Sequence, residues 1–291
     1  MLGLALAAAA AGAAWWWSHE SPGSAPPAHA RAATPAALVM ETPHFRIVST
    51  ATPEQTREVA LAVERLHAAL AAFLPDAPSA RADGQRMQLV LYRDQAEFKA
   101  NNRSTPWAEA YYRPPACHAY YAQGERNPVH WMLHEVTHQF AREVAAFPRA
   151  RWSDEGLASY FGASRIVDGT LVPGRVDPDT YPIWWLPRLA LSGDLDEDIA
   201  KGRLIPLRAL IEGDGPPIGE HVNTYYIQFW SLTHFLLQHD GGRHAPAYRR
   251  LLARGGSLGE FEAAFGPVER VQAQWYAHLQ AQVAALGAAP E

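Results

Sequence analysis

Residues 127–144 read NPVHWMLHEVTHQFAREV, a helical pattern that contains the motif HExxH. Asn127 followed by Pro128 is typical of a helix N-cap with proline in the first turn. The two histidines of the motif, His134 and His138, lie about 150° around the helix from a stripe of apolar side chains. This stripe consists of Val129, Met132, Leu133, Val136, Phe140 and Val144. We therefore expect a helix packed between two lobes, with both histidines facing a cleft.

The spacing of the two histidines suits a metal ion. Side chains four residues apart lie roughly 6 Å apart along one face of a helix, so the rings of His134 and His138 can reach one ion at about 2.0–2.1 Å. Glu135 then lies beside the ion without binding it. His130 continues the row, but about 12 Å of helix separates it from His138, which excludes it as a further ligand of the same ion.

A second segment supplies a third metal ligand. Residues 152–160 read WSDEGLASY, in which Ser153 is a plausible helix N-cap. On this helix Glu155 shares a face with small residues only, which permits close approach to a neighbouring helix; these are Ala158, Ser159 and Gly162. Asp154 is the alternative ligand, but it points about 100° away from that face. We predict Glu155 as the ligand and Asp154 as an acceptor that orients a ligating histidine.

The order HExxH followed by W-x-x-E-G-L-A-x-Y resembles the gluzincins, zinc metallopeptidases of peptidase clan MA. It is similar to the pattern of the aminopeptidase N and leukotriene-hydrolase type enzymes, and in chain size it is closer to an uncharacterised bacterial peptidase MA-like domain family. The resemblance is specific over residues 131–164 and looser over residues 221–238. The connection between His138 and Glu155 has 16 residues, slightly fewer than is usual in the aminopeptidases.

The resemblance implies a zincin-like, two-lobed metallopeptidase fold with Zn²⁺ as cofactor. It implies that His134, His138 and Glu155 bind the zinc and that Glu135 is the general base. No glycine-rich acidic exopeptidase motif precedes His134, so recognition of a free amino terminus is not predicted.

A distant tyrosine completes the site that the resemblance implies. The segment YYIQFWSL, residues 225–232, is similar to the tyrosine-bearing helix of the aminopeptidases, and Tyr226 is the residue that aligns. A phenol hydroxyl is a suitable donor to an oxyanion in a water-poor cleft. Tyr225 and His221 are alternatives for this role, and packing in an aromatic core is the competing interpretation of Tyr226.

The remaining pattern predicts an α+β fold with a small mixed sheet and helices in the N-terminal half and a mainly helical C-terminal half. Strands are predicted at 44–49, 87–92, 111–112 and 116–121, and a long amphipathic helix at 53–74. Helices beginning near Asn127, Ser153 and Asn223 are expected to surround one cleft. For the stretch 111–121 there are two interpretations. It lies on the far wall of that cleft, where it pairs with the substrate backbone and its tyrosines line the cleft, or its side chains pack in the core.

The hydrophobic content, net charge and cysteine count exclude several classes of function. With 48% hydrophobic residues the chain can bury a sizeable core. Lys+Arg is 25 against Asp+Glu 30, a net charge of -5, which disfavours nucleic acid as a partner. The single Cys117 excludes an intramolecular disulfide and a cysteine-based zinc site, so a metal must rest on histidines and carboxylates. Trp184, Trp185 and His234 are expected to be core residues.

The N-terminal residues resemble an export segment. Residues 2–17 form an uncharged apolar run, and the Ala28-His29-Ala30 site is of the kind that signal peptidase cuts. Cleavage after Ala30 is the first expectation. Two features count against it: no Lys or Arg precedes the run, and the three tryptophans that end it resemble an interfacial aromatic belt, which would suit an uncleaved membrane anchor. We predict a signal peptide or anchor over 1–30, a linker over 31–40 and a catalytic domain over 41–291, located in the periplasm or secreted.

These patterns together predict an exported zinc metallopeptidase that hydrolyses peptide bonds of a peptide or protein substrate. The main alternative is a non-catalytic binding or assembly module that keeps the metallopeptidase fold. A zinc hydrolase acting on a non-peptide amide or ester would use the same ion and base.

Overall fold

The structure, a computed structural model, describes residues 37–75 and 85–287. The segment predicted as a signal peptide or anchor, residues 1–30, lies outside the described residues. Within the described ranges no helix combines the length and apolar character needed to span a bilayer.

The N-terminal half contains a five-stranded mixed sheet. Its strands are β1 (Leu38–Glu41), β2 (Phe45–Ser49), β3 (Met87–Tyr92), β4 (Tyr111–Arg113) and β5 (Ala116–Tyr120). Their order in space is β1-β2-β3-β5-β4. The three inner strands are parallel, and the edge strands β1 and β4 run antiparallel to their neighbours. Residues of β2 and β3 alternate between buried and partly exposed, as expected when one face lies on the core.

Two helices connect the inner strands. The first, α1 (Pro53–Phe73), links β2 to β3 and begins with a capping box formed by Thr52 and Gln55. The second, α2 (Gln95–Asn101), follows β3 and is capped by Asp94. The strands and the long helix predicted for this half are confirmed, with ends that differ by one residue.

Strand β1 lies inside the stretch predicted as a linker. Val39 pairs with Val48 and Met40 with Ile47, so the last three residues of the stretch 31–40 belong to the sheet. Only Met40 contributes an inward apolar side chain here, while Val39 is exposed, which leaves too little alternation to indicate a strand.

The C-terminal half is mainly helical, so the predicted α+β class is confirmed. Its α-helices are α3 (His130–Glu143), α4 (Arg151–Gly162), α5 (Leu195–Ala200), α6 (Leu207–Glu212), α7 (Val222–Gln238), α8 (Ala245–Leu252), α9 (Leu258–Phe265) and α10 (Val268–Gly287). Short 3-10 helices cover Ile183–Leu189, Ile218–Glu220 and His239–Gly242. A small hairpin of β6 (Arg165–Val167) and β7 (Thr170–Val172) follows α4 and was not predicted.

The predicted N-cap of α3 is wrong. The helix begins at His130, and the side chain of Asn127 instead donates to the Ser164 carbonyl at 3.2 Å and to Thr180 Oγ1 at 3.4 Å. Asn127 therefore ties the segment before α3 to the segments after α4.

The predicted N-cap of α4 is also wrong. The helix begins two residues before Ser153, whose hydroxyl donates back to the Ala150 carbonyl at 3.2 Å. Trp152 is fully buried and donates from Nε1 to the Gly256 carbonyl at 2.8 Å. This anchor draws the first turn of α4 into the core, so a residue that looks like a cap lies inside the helix.

Helix α3 packs between the sheet and α4. Its apolar stripe faces β5 and α1, as its pattern predicts, and the opposite face meets α4. Helix α4 in turn packs against α7. A Cβ added to Gly162 would lie 3.1 Å from Cβ of His134, and one added to Gly156 would lie 2.9 Å from the Phe229 carbonyl oxygen of α7. The two glycines thus permit close contact of α4 with both neighbours.

Replacing Gly156 with alanine should destabilise the fold by about 1–3 kcal/mol, because the new methyl group overlaps Thr233 Oγ1 and the α7 backbone. Gly259→Ala in α9 is the matched control, since nothing lies within 4 Å of its added Cβ. The control should leave stability unchanged or raise it by up to about 1 kcal/mol. Urea unfolding of both variants measures the difference, and equal free energies of unfolding would contradict the close packing of α4 on α7.

Candidate metal centre

Three side chains that the sequence singles out meet between α3 and α4. Nε2 of His134 lies 3.2 Å from Nε2 of His138, and Oε2 of Glu155 lies 3.4 Å from each of these nitrogens. Within the described part of the chain, this is the group of histidine and carboxylate ligand atoms close enough together to hold a metal ion. The contact of Gly162 with the backbone of His134 explains how a short carboxylate on α4 reaches both rings.

The spacing of the three atoms fits zinc. Tetrahedral ligands at 2.0–2.1 Å from one ion lie about 3.3–3.4 Å from each other, which agrees with the distances between the His134, His138 and Glu155 atoms. Oε2 of Glu155 is also buried without a hydrogen-bond partner. A buried carboxylate oxygen is normally satisfied, so a cation between the three atoms would supply the missing partner. Two imidazoles and one carboxylate leave a fourth position open, as a catalytic zinc site requires.

The pKa values of Glu155 and His138 are shifted by the contacts of these residues with each other and with their neighbours. Burial alone raises the pKa of Glu155, but the charges of His138 and His134, whose Nε2 atoms lie 3.4 Å from its Oε2, outweigh the effect of burial and hold that pKa well below its ordinary value. Burial alone lowers the pKa of His138, but Glu155 and Asp154 outweigh it and raise that pKa well above its ordinary value. The carboxylate is therefore ionised and ready to bind a cation.

Asp154 occupies the orienting position expected for it. Its Oδ1 lies 3.2 Å from Nδ1 of His138, so Nε2 of the same ring faces His134 and Glu155. Burial raises the pKa of Asp154, yet the hydrogen bond and charge of His138 lower it overall. Arg142 also approaches the carboxylate, with Nη2 3.5 Å from Oδ2. Asp154 thus fixes the His138 ring and is not among the three converging ligand atoms.

Glu135 is buried beside the centre and lines both of the cavities that adjoin the centre. Burial raises its pKa, the charges of His134 and His138 oppose the rise, and Glu155 adds to it. The backbone of Tyr112 lowers the pKa of Glu135, in the opposite sense to burial. Since Tyr112 belongs to β4 and lines the smaller cavity together with Glu135, the outer edge of the sheet borders the centre.

Tyr226 lies on the face of α7 that points to the centre. Its ring centroid is 6.2 Å from that of His134. Burial, followed by the charge of Glu155, raises the pKa of the Tyr226 hydroxyl well above its ordinary value, so the group stays a proton donor. Tyr225 points away and donates to the Pro216 carbonyl at 2.7 Å, and His221 stands at the N-cap of α7. Of the three residues considered for the oxyanion role, Tyr226 lines the cleft.

Two adjoining cavities form the cleft, of about 440 Å³ and about 210 Å³. Both are lined by His134, Glu135 and Tyr226, and by Trp107, Ala108 and Ala110 from the segment before β4. The sequence interpretation did not single out this segment, because neither helical nor strand periodicity marks it. A tryptophan in a polar loop directly before the edge strand is the one available signal.

The expectation that Trp184 is a core residue is wrong. Its side chain is 39% exposed and lines the larger cavity beside Tyr181 and Tyr226. It lies on a short 3-10 helix that buries every third residue, Ile183, Leu186 and Leu189, so Trp184 is turned outward. Trp185 is partly buried against the core under the guanidinium of Arg188.

Two further histidines are structural. His234 is buried, as expected, between the Gly174 carbonyl and His278, each at 3.0 Å. His130 is buried, lies 2.7 Å from the Asn127 carbonyl through Nδ1, and does not belong to the three-atom group. Burial lowers its pKa to about 4.

No protein-family model matches the chain, and a search of curated proteins finds no similar sequence.

The converging atoms predict that the purified protein binds about one zinc per chain. A His134→Ala/His138→Ala double variant should lose this binding, because only the Glu155 carboxylate remains. His221→Ala, which removes a nearby histidine outside the group, should keep it. Metal analysis after dialysis, with circular dichroism to check folding, measures both variants. Stoichiometric zinc in the folded double variant would refute the site.

Proposed function

We propose that the protein is an exported zinc metallopeptidase of gluzincin type. The observation that carries this proposal is the tetrahedral spacing of His134, His138 and Glu155 with Glu135 beside them in one cleft. The edge strand β4 along the cleft and α3 between the sheet and the helical half are what a zincin-like, two-lobed fold would require. Its export, to the periplasm or outside the cell and with or without a retained membrane anchor, rests on the sequence of residues 1–30.

In the proposed mechanism, three residues bind the metal and Glu135 transfers the proton. His134, His138 and Glu155 would hold zinc, which supplies a Lewis acid that polarises a substrate carbonyl and lowers the pKa of water nearby. Glu135 stands where it can accept a proton from the attacking water and pass it to the leaving amine. Its burial keeps the pKa above that of an ordinary glutamate, which makes the carboxylate a better base near neutral pH.

Tyr226 supports the negative charge that develops on the carbonyl oxygen. Its hydroxyl lines the same cleft as Glu135, and the raised pKa keeps the proton in place for donation. A donor that meets the oxygen mainly in the transition state contributes to kcat more than to substrate binding.

Peptides are the substrate class that the sheet favours. Strand β4 is an edge strand of the sheet, and its residues Tyr111 and Tyr112 line the smaller cavity together with Glu135. An extended peptide can add to such an edge through main-chain hydrogen bonds. The buried Glu135 also favours an enzyme over a binding module, because burying an extra carboxylate is costly and a binding module has no use for it.

Glu135→Gln should lower turnover by about 10²–10⁴-fold or more while zinc content and fold are unchanged, because the amide cannot accept the proton. The exposed Glu212→Gln is the control and should match the parent. Cleavage of a mixed peptide library, read by mass spectrometry with and without chelator, measures the loss. Turnover by the Glu135 variant at the parental rate would refute its role, and no cleavage by either protein would favour the binding module.

Tyr226→Phe should lower kcat by about 10²–10³-fold with little change in KM, because the variant loses one oxyanion donor. Tyr225→Phe is the matched neighbour: it loses a hydrogen bond to the Pro216 carbonyl, which affects stability and not the centre. Steady-state kinetics on a peptide identified in the library compares the two. Equal kcat for both variants would remove Tyr226 from the mechanism.

A further inference from the structure

The larger cavity adjoins the candidate metal centre, since His134 and Glu135 belong to its lining. Its volume of about 440 Å³ is large enough for a long side chain and much larger than a methyl group or a water molecule. Six aromatic side chains line it: Trp107, Tyr120, Trp131, Tyr181, Trp184 and Tyr226. Such walls suit the methylene stem of a long side chain and the face-on approach of a cation.

The cavity carries negative charge. Besides Glu135, its lining includes Glu109 and Glu125, and no lysine or arginine is among the residues that line it. Glu109 is already paired, since Lys99 Nζ lies 2.8 Å from its Oε1 and Tyr120 donates to its Oε2 at 3.1 Å. Glu135 lies beside His134 and His138, whose charges act on it. Glu125 is therefore the carboxylate of this lining for which the described residues supply no charged partner.

Glu125 is held as an incompletely satisfied carboxylate. Its Oε2 is buried and has no hydrogen-bond partner within residues 37–75 and 85–287. The nearest basic atom is Nδ1 of His130 at 3.5 Å, but burial lowers the pKa of His130 to about 4, so this ring is neutral at physiological pH. Burial, with the charge of Glu109, raises the pKa of Glu125. A cation in the cavity would relieve both the missing contact and the repulsion.

We propose that this cavity is a specificity pocket for a positively charged group of the substrate, with Glu125 as the residue that selects it. The inference rests on the proposed peptidase function. A lysine or arginine side chain next to the scissile bond fits within the cavity's volume of about 440 Å³, and a free amino terminus has the same charge. The aromatic rings hold the stem, and Glu125 receives the charged end.

Isosteric peptide pairs test the pocket in the zinc-loaded protein. The two peptides of a pair are identical except at one position flanking the cleaved bond, where one has lysine and the other norleucine, or one has arginine and the other citrulline. The side chains have similar size, so the main difference is the charge. The parent should prefer the charged member by about 10- to 100-fold in kcat/KM, the ratio expected for a hydrogen bond between charged partners. Acetylated and free amino termini on the same peptides distinguish a side chain from a terminal ammonium as the source of the charge.

Glu125→Gln should reduce this ratio to near one, and Glu125→Lys should reverse it toward glutamate peptides. The exposed Glu212→Gln should keep the parental ratio. Thermal unfolding checks that each variant is folded. Cleavage by the parent without a charge preference, or a preference that survives in folded Glu125→Gln, would overturn the pocket while leaving the peptidase function intact.

A binding measurement separates failure of the pocket from failure of the proposed function. If the parent cleaves no peptide, titration with N-acetyl-lysine amide should still change the tryptophan fluorescence, since Trp107, Trp131 and Trp184 line the cavity. N-acetyl-norleucine amide should bind at least 10-fold more weakly. Equal binding of the two amides, or equal binding of the lysine amide by the parent and by Glu125→Gln, would overturn the inference independently of catalysis.

Discussion

The close packing of α4 between α3 and α7 is the constraint on which the site depends. Gly162 meets the backbone of His134, and Gly156 meets the backbone of Phe229. Because these contacts leave no room for a Cβ at ordinary distance, the axis of α4 is fixed with respect to both neighbours. Glu155 lies one residue before Gly156, so the same contacts determine how far its carboxylate reaches toward the histidines.

The centre concentrates ionisable groups in a space with little water. Such a group is costly to bury unless every charge has a partner. Here Glu155 faces both imidazoles, His138 faces Asp154, and Asp154 faces Arg142. In this series of contacts between described residues, Oε2 of Glu155 is the buried oxygen without a hydrogen bond, and it lies beside the position where an ion would complete the arrangement.

The sequence predicts the parts of the site that rest on local spacing. The two histidines and Glu135 follow from one helical turn, and Glu155 and Asp154 from adjacent positions of a second helix. Strands β2 to β5 and α1 follow from alternation and amphipathic periodicity, whereas β1 does not. The errors have a common cause in tertiary contacts: burial of Trp152 moves the start of α4, and the partners of Asn127 lie far along the chain. The walls of the larger cavity are missed for the same reason, because loops bring them together.

The two parts of the cleft differ in how they are built. The metal-ligand atoms and the tyrosine come from long helices locked together by glycines, whereas Trp107, Glu125 and Tyr181 come from turns and irregular segments at the rim. Substitutions in such segments usually cost little stability, while substitutions at the helix contacts disturb the packing of the core and lower the free energy of unfolding. Under the proposed peptidase function, divergent copies of this chain would exchange one substrate preference for another through rim mutations alone, and a protein engineer would vary the same segments without changing the reaction chemistry.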